Sequence, residues 1–148
     1  MIDITTYSPT NPGTAKDQEN IVDFLFESLE QYGDPKHDIQ KCLEYALGKN
    51  GKPGGLVLVA KDPEMDRVVG AVILNKTGMG SYIPENILVY IATDKAKRGQ
   101  GLGKTLMQEA IDRTEGGIAL HCEPDNPARF LYEKLGFTSK YLEMRLKK

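Results

Sequence analysis

Apolar residues recur along this chain in two periods, and the switches between them mark out its elements. Residues 2–7 read as a short strand, and prolines and a glycine make a loop of residues 9–13. From residue 17 to 32 the apolar side chains Ile21, Phe24, Leu25 and Leu29 return at helical spacing, and Gly33 supplies a stop. Asp34-Pro35 then reads as a second helix start, a capping carboxylate followed by proline at a position where its missing N–H costs nothing. Behind it Ile39, Cys42, Leu43, Ala46 and Leu47 form one stripe, closed by Gly48. After a loop over residues 51–55 the period drops to that of strands. Residues 56–60 and 68–74 are joined by a turn at Asp62-Pro63-Glu64, which predicts a hairpin. A polar loop over 76–84 leads into residues 85–93, apolar on both faces, the pattern of a strand covered from both sides.

The second half continues the alternation. Residues 98–105 read RGQGLGKT and open a helix whose inner face carries Leu102, Leu106, Met107, Ala110 and Ile111, ending at Gly116-Gly117. Residues 118–122 predict another strand, Asn126-Pro127 a short helix that Gly136 ends, and the alternation over 141–146 a final strand. The order β-α-α-β-β-β-α-β-α-β predicts an α/β fold of mixed α+β type, a mixed sheet with helices on both faces. No repeat or linker divides residues 1–148, so one domain is expected.

Composition narrows the function classes. The chain is 40% hydrophobic and 27% charged, ordinary for a globular protein. A net charge of −2 supplies no general attraction to nucleic acid or to an anionic membrane. The longest apolar run, residues 87–92, is too short to span a bilayer, and the opening MIDITTYSPT lacks the regions of a signal peptide. A cytoplasmic location is the resulting expectation. Acidic residues are unevenly spread: residues 1–50 hold nine against four basic ones. Cys42 and Cys122 are too few and too far apart for a disulfide framework or a zinc site. His121 and Cys122, neighbours on a strand, point to opposite faces and make no metal pair, so no metal is expected.

The glycine-rich stretch carries the chemistry. Gly103-Lys104-Thr105 supplies the second half of an ATP-binding P-loop, but Arg98 stands where its first glycine belongs. A dinucleotide fingerprint begun at Gly99 and Gly101 needs a third glycine where Lys104 stands. The backbone physics still favours an anion. Glycines let N–H groups turn to one side and a bulky oxyanion approach, the helix that follows adds unsatisfied N–H groups and its positive dipole end, and Arg98 and Lys104 bracket the loop.

Taken with the preceding strand, Arg98-x-x-Gly101-x-Gly103 resembles the acetyl-CoA-binding motif of the GNAT superfamily of N-acetyltransferases, Gln/Arg-x-x-Gly-x-Gly/Ala at a strand-to-helix junction. Residues 126–137, NPARFLYEKLGF, resemble the family's second signature, an asparagine ahead of a short helix ending in Leu-Tyr-x-Lys-x-Gly-Phe. The motifs stand in the family's order and cover about residues 85–137; residues 1–84 match only in the order of elements.

The resemblance implies a mostly antiparallel sheet splayed at its central strands. Backbone amides of Arg98, Gly99, Gln100, Gly101, Leu102, Gly103, Lys104 and Thr105 would cradle the diphosphate of acetyl-CoA, and the pantetheine arm would pair with backbone at Ile91, Ala92 and Thr93. Asn126 matches an asparagine that contacts CoA, with capping of the helix ahead of Pro127 as its alternative role. Tyr132 matches the tyrosine that protonates, or hydrogen-bonds, the departing thiolate. Two residues are candidate bases: Glu85 at the start of the central strand, two residues before the position where the family often has a glutamate (here Ile87), and His121. The implied reaction is transfer of an acetyl group from acetyl-CoA to a primary amine by direct attack in a ternary complex. The acceptor would be a small molecule or a peptide, with no nucleic acid or membrane partner, and a homodimer is compatible with this. The rival is a non-catalytic acyl-CoA-binding module that keeps the cradle. Because only residues 138–148 follow Phe137, the hairpin that usually closes this fold is shortened.

Overall fold

In a computed structural model, which describes residues 2–148, the strand-period segments join in one five-stranded sheet. In chain order the elements are β1 (Asp3–Tyr7), α1 (Ala15–Leu29), α2 (Lys36–Ala46), β2 (Gly55–Asp62), β3 (Arg67–Lys76), β4 (Asn86–Thr93), α3 (Leu102–Arg113), β5 (Ile118–Leu120) and α4 (Ala128–Lys134). The strands lie in the order β1-β2-β3-β4-β5, with the first three pairings antiparallel and β4–β5 parallel. The mixed sheet read from the element order, and the mostly antiparallel pairing that the resemblance implies, are therefore observed. β3 is buried from Val68 to Asn75, as a central strand packed on both faces must be.

One face of the sheet is covered by α1 and α2, where Leu25, Ile39 and Leu43 pack on Val57, Ile73 and Tyr90. The other is covered by α3 and α4, with Leu106, Met107 and Tyr132 over Leu58, Val72 and Leu74. Local chemistry starts the first helix: Thr14 and Asp17 exchange side-chain-to-backbone bonds of 2.9 and 3.0 Å in a capping box. The second start differs from expectation. Pro35 occupies the cap of α2 with no side-chain bond, while Asp34 turns away to accept a 2.5 Å hydrogen bond from the Tyr90 hydroxyl. Proline's fixed φ is enough to begin the helix, which frees the carboxylate for the sheet.

The expected final strand over 141–146 does not form. Residues 138–148 hold neither strand nor helix, and Tyr141, Leu142, Met144 and Leu146 are 80–88% exposed. Alternation reports which side chains could share a face, but a strand exists only through backbone pairing, and among the described residues this segment pairs with no strand.

The sheet is interrupted where the site lies. Ile73 pairs with Tyr90 and Leu74 with Leu88, which leaves Val89 as an extra residue on β4, a β-bulge. The bulge switches the faces: Leu88 lies on the α3 side, whereas Tyr90 and Ala92 lie on the α1–α2 side. The parallel partner β5 pairs only with Asn86, Ile87 and Leu88. From Val89 to Thr93 the outer edge of β4 has no strand beside it, so the sheet is split between β4 and β5. Among the described residues no helix is long and apolar enough to cross a membrane.

Candidate active site

The loop after β4 presents a run of free amides. Asp94 caps the short turn over Lys95–Lys97 by accepting from Ala96 N–H at 2.9 Å, and Arg98 N–H closes on the Lys95 carbonyl. The first internal helical bond of the segment is then Thr105 N–H to the Gly101 carbonyl, at 3.0 Å. Among the described residues, none of the N–H groups of residues 99–104 donates to another group. Gly99 and Gly101 adopt φ of 77° and 81°, the left-handed region that favours glycine, and a Cβ built on either would meet nothing within 4 Å. These unbonded amides stand at the start of a twelve-residue helix, whose dipole adds positive potential. Lys95 and Lys97 are neutralised by Glu30 and Asp62, at 2.7 and 2.6 Å. Arg98 and Lys104 have no ion-pair partner among the described residues. This donor set fits a diphosphate: a run of unbonded N–H groups, two cations with no ion-pair partner among the described residues, and no Cβ at Gly99 or Gly101.

The cradle adjoins the split. A Cβ at Gly103 would come 3.6 Å from Leu131 Cδ2 and 3.9 Å from Thr93 Cγ2, so the first turn of α3 touches both the end of β4 and α4. Tyr132, the next residue on α4, is buried to 8% exposure in the same cluster as Leu88, Ile91, Leu120 and Cys122, the residues that flank the split. Phe137 meets its ring edge-on at 6.1 Å. Burial, with a smaller contribution from Cys122, pushes the Tyr132 phenol up to about 12, and its hydroxyl has no hydrogen-bond partner among the described residues. Ile91, Ala92 and Thr93 supply the unpaired edge of β4, Ile91 on the α3 side and Ala92 on the α1–α2 side.

Other candidates stand apart from this grouping. Glu85 lies at the opposite end of β4, eight residues from Thr93, or roughly 26 Å along an extended strand. Its carboxylate accepts the Gly117 N–H at 2.9 Å, and backbone hydrogen bonds, that one foremost, hold it below the usual glutamate range. It ties the α3–β5 loop to the sheet, and proton abstraction would work against a depressed pKa. His121 follows β5 on the surface, with Nδ1 3.9 Å from Glu143 of the C-terminal segment. Asn126 uses its side-chain oxygen to accept the Ala128 N–H at 3.0 Å, so it caps the start of α4; its amide nitrogen makes no bond among the described residues. Gln100 donates to the Ala96 carbonyl and Thr105 to that of Gly101, which braces the loop from within.

Sequence reasoning missed Tyr90, and it read Asp34 as a helix cap, not as the partner of that hydroxyl. Their bond joins the α1–α2 connection to β4 one residue past the bulge, on the face opposite Tyr132. Burial, followed by the Asp34 carboxylate, raises the Tyr90 phenol well above its ordinary value. The bulge that turns Tyr90 toward Asp34 leaves no mark in the hydrophobic pattern.

The site thus combines a sheet split beside a bulge, a run of unbonded amides at the adjoining helix start, and a buried tyrosine packed with the residues that flank the split. The comparisons make the class specific: residues 53–139 match the acetyltransferase (GNAT) domain model, and the chain belongs to that family. A mycothiol acetyltransferase of Nocardia farcinica is 31% identical over 97 residues, 62% of this chain but 32% of that protein, so the chain spans about a third of that relative. Among solved structures, the ribosomal-protein-alanine N-acetyltransferase of Brucella melitensis biovar Abortus 2308 superposes over 100% of this chain and 99% of its own, with TM-score 0.70 and 16% identity. The ribosomal-protein-S18-alanine N-acetyltransferase of Escherichia coli covers 95% of this chain and 80% of its own at TM-score 0.69 and 18% identity. Likeness at these identities establishes the fold.

Proposed function

We propose that the protein transfers an acetyl group from acetyl-CoA to a primary amine, a small molecule or a peptide, by direct attack within a ternary complex. Family membership supports acetyl transfer. The observation that carries the cofactor is the unsatisfied run of amides at residues 99–104, beside the unpaired edge of β4 and Tyr132. Acetyl-CoA supplies the activated acetyl thioester. The chain's own groups would do the rest: the loop would hold the diphosphate, residues 91–93 would offer backbone to the pantetheine arm, and the Tyr132 hydroxyl would support the departing sulfur. A free amide near the bulge would stabilise negative charge developing on the thioester oxygen.

The amine would enter from the α1–α2 side, where Asp34 and Tyr90 lie and where Glu27 and Asp38 add to the acidic excess of residues 1–50, Glu30 being paired with Lys95. An ordinary amine is about 99.9% protonated at neutral pH, and a carboxylate-rich entrance attracts it in that form. Glu85 and His121 remain the proposed bases, each acting through intervening water. Asn126 is proposed to cap α4 and to offer its free amide nitrogen to CoA.

CoA and acetyl-CoA should raise the thermal midpoint, while ATP and NAD at equal concentration leave it unchanged. At a hundredfold the dissociation constant the stabilisation is about 2.7 kcal/mol. Thiol release from acetyl-CoA across a panel of amines then reads the reaction itself. Binding of CoA without turnover of any amine would replace the enzyme with the acyl-CoA-binding module, and stabilisation by ATP in place of CoA would remove the cofactor assignment.

A further inference from the structure

Cys122 is a thiol that the proposed reaction leaves unused, and it stands where the sheet divides. β5 pairs with β4 only as far as Leu120 beside Leu88, and Cys122 lies two residues past that last pair. It is half-buried, in the cluster on the α3 side of the sheet. Two groups of α4 lie near it. Tyr132 shares the cluster at 8% exposure, and Cys122 contributes to the rise of its phenol. The Tyr132 hydroxyl has no hydrogen-bond partner among the described residues, so a polar atom of a ligand would complete that space. Arg129, one helical turn before Tyr132, is close enough to favour the Cys122 thiolate.

We propose that Cys122 is a modification site for the disulfide of CoA, which exchanges with it and leaves a Cys122–CoA mixed disulfide in the split. The inference rests on the assignment of CoA to the loop at residues 99–104. The Cys122 thiolate attacks one sulfur of CoA disulfide and forms the new S–S bond. The second CoA departs as a thiolate with the electron pair of the broken bond, and takes up the proton that Cys122 gave up. Cys122 is oxidised and the departing half is reduced, so no other oxidant enters. The tethered CoA then occupies the place of acetyl-CoA, and the protein is switched off by oxidised CoA and restored by thiols. Selectivity comes from the surroundings. Burial raises the Cys122 thiol above its ordinary value; Arg129 opposes this, while Glu123, Asp125 and Glu133 add to it. Little thiolate is present at neutral pH, so a disulfide met by chance reacts slowly. One held through its diphosphate stands at an effective concentration on the order of millimolar and should react roughly 10²-fold faster. Cys42 is the internal contrast. It packs on the opposite face of the sheet, accepts from Asn75 Nδ2 at 3.4 Å, and is pushed up to about 12 by burial.

The unsubstituted protein is incubated with CoA disulfide or, in parallel, with glutathione disulfide at equal concentration, and its intact mass is followed with time. CoA disulfide should add the mass of one CoA less two hydrogen atoms. Peptide mapping should place the adduct on Cys122, and dithiothreitol should remove it. Glutathione disulfide, which has no diphosphate, should react roughly 10²-fold more slowly. Excess acetyl-CoA should protect Cys122. Gly101→Val should slow the CoA reaction tenfold or more and leave the glutathione reaction unchanged. Thermal stabilisation by CoA, measured alongside, separates the two readings. Stabilisation without an adduct on Cys122 removes this inference alone; neither stabilisation nor adduct removes the cofactor assignment with it. Equal rates with the two disulfides, an adduct on Cys42 in place of Cys122, or a Gly101→Val protein that reacts as fast as the unsubstituted one would each overturn the proposal.

Discussion

Gly101→Val should cost far more in CoA binding than in folding. With φ of 81° and open space around a Cβ, the position penalises valine through backbone strain alone, roughly 1–3 kcal/mol. The same side chain would fill the hollow onto which the amides of residues 99–104 open. A hydrogen bond to a charged group contributes about 1.5–3 kcal/mol, so displacing the diphosphate from two amides should weaken CoA by roughly 10²–10⁴-fold. Gly51→Val is the matched control, with φ of 73°, open space and a place in the α2–β2 connection away from the cradle. It should lose similar stability and keep its CoA affinity. Calorimetric titration of both variants checks this, and equal CoA affinity in the two would remove the cradle.

Tyr132→Phe should slow the chemical step and leave acetyl-CoA affinity nearly unchanged. A group that supports the leaving sulfur only in the transition state contributes to the rate and not to ground-state binding. General acids contribute about 10²–10⁴-fold; a hydrogen-bonding phenol falls toward the lower end, so a loss of at least about tenfold is expected in single turnover. Burial favours hydrogen bonding over full proton transfer. With the phenol pushed up to about 12 and a thiol near 8.5, complete transfer is uphill by ~5 kcal/mol before the site adjusts either group. The sign for pH follows. Tyr132 keeps its proton until pH approaches 12, so its contribution to the rate is constant across pH 7–10 and is lost only above that range. A fall in rate between pH 8 and 10 therefore belongs to another group and should persist in the phenylalanine variant. Disappearance of that fall in the variant would show that Tyr132 ionises in that range.

Much of the fold was legible because burial writes a period into the sequence. The stripe Ile39, Cys42, Leu43, Ala46 and the double-sided run ending at Thr93 each led to the right element, since their neighbours are sheet faces that demand apolar side chains. The glycine loop was legible for a different reason: positive φ at Gly99 and Gly101 restricts the residue type. What the pattern could not carry was pairing. The extra residue at Val89, which opens the sheet and turns Tyr90 toward Asp34, is a relation between two strands. Residues 141–146 show the converse, an alternation that no pairing within the chain fulfils. Glu85 was chosen for its place on a strand, yet its carboxylate is engaged by Gly117, thirty-two residues on, a contact that only the folded loop creates. Asp34 looked like a cap because Asp-Pro so often is one; proline began the helix unaided.

The central claim is that the amides of residues 99–104 receive the CoA diphosphate. Titrating CoA into ¹⁵N-labelled protein tests it most directly, because each amide reports its own hydrogen bond. Large downfield shifts are expected among residues 99–104, with accompanying changes at residues 89–93 along the split and no comparable response to NAD. Tight CoA binding that leaves the resonances of residues 99–104 in place would contradict it.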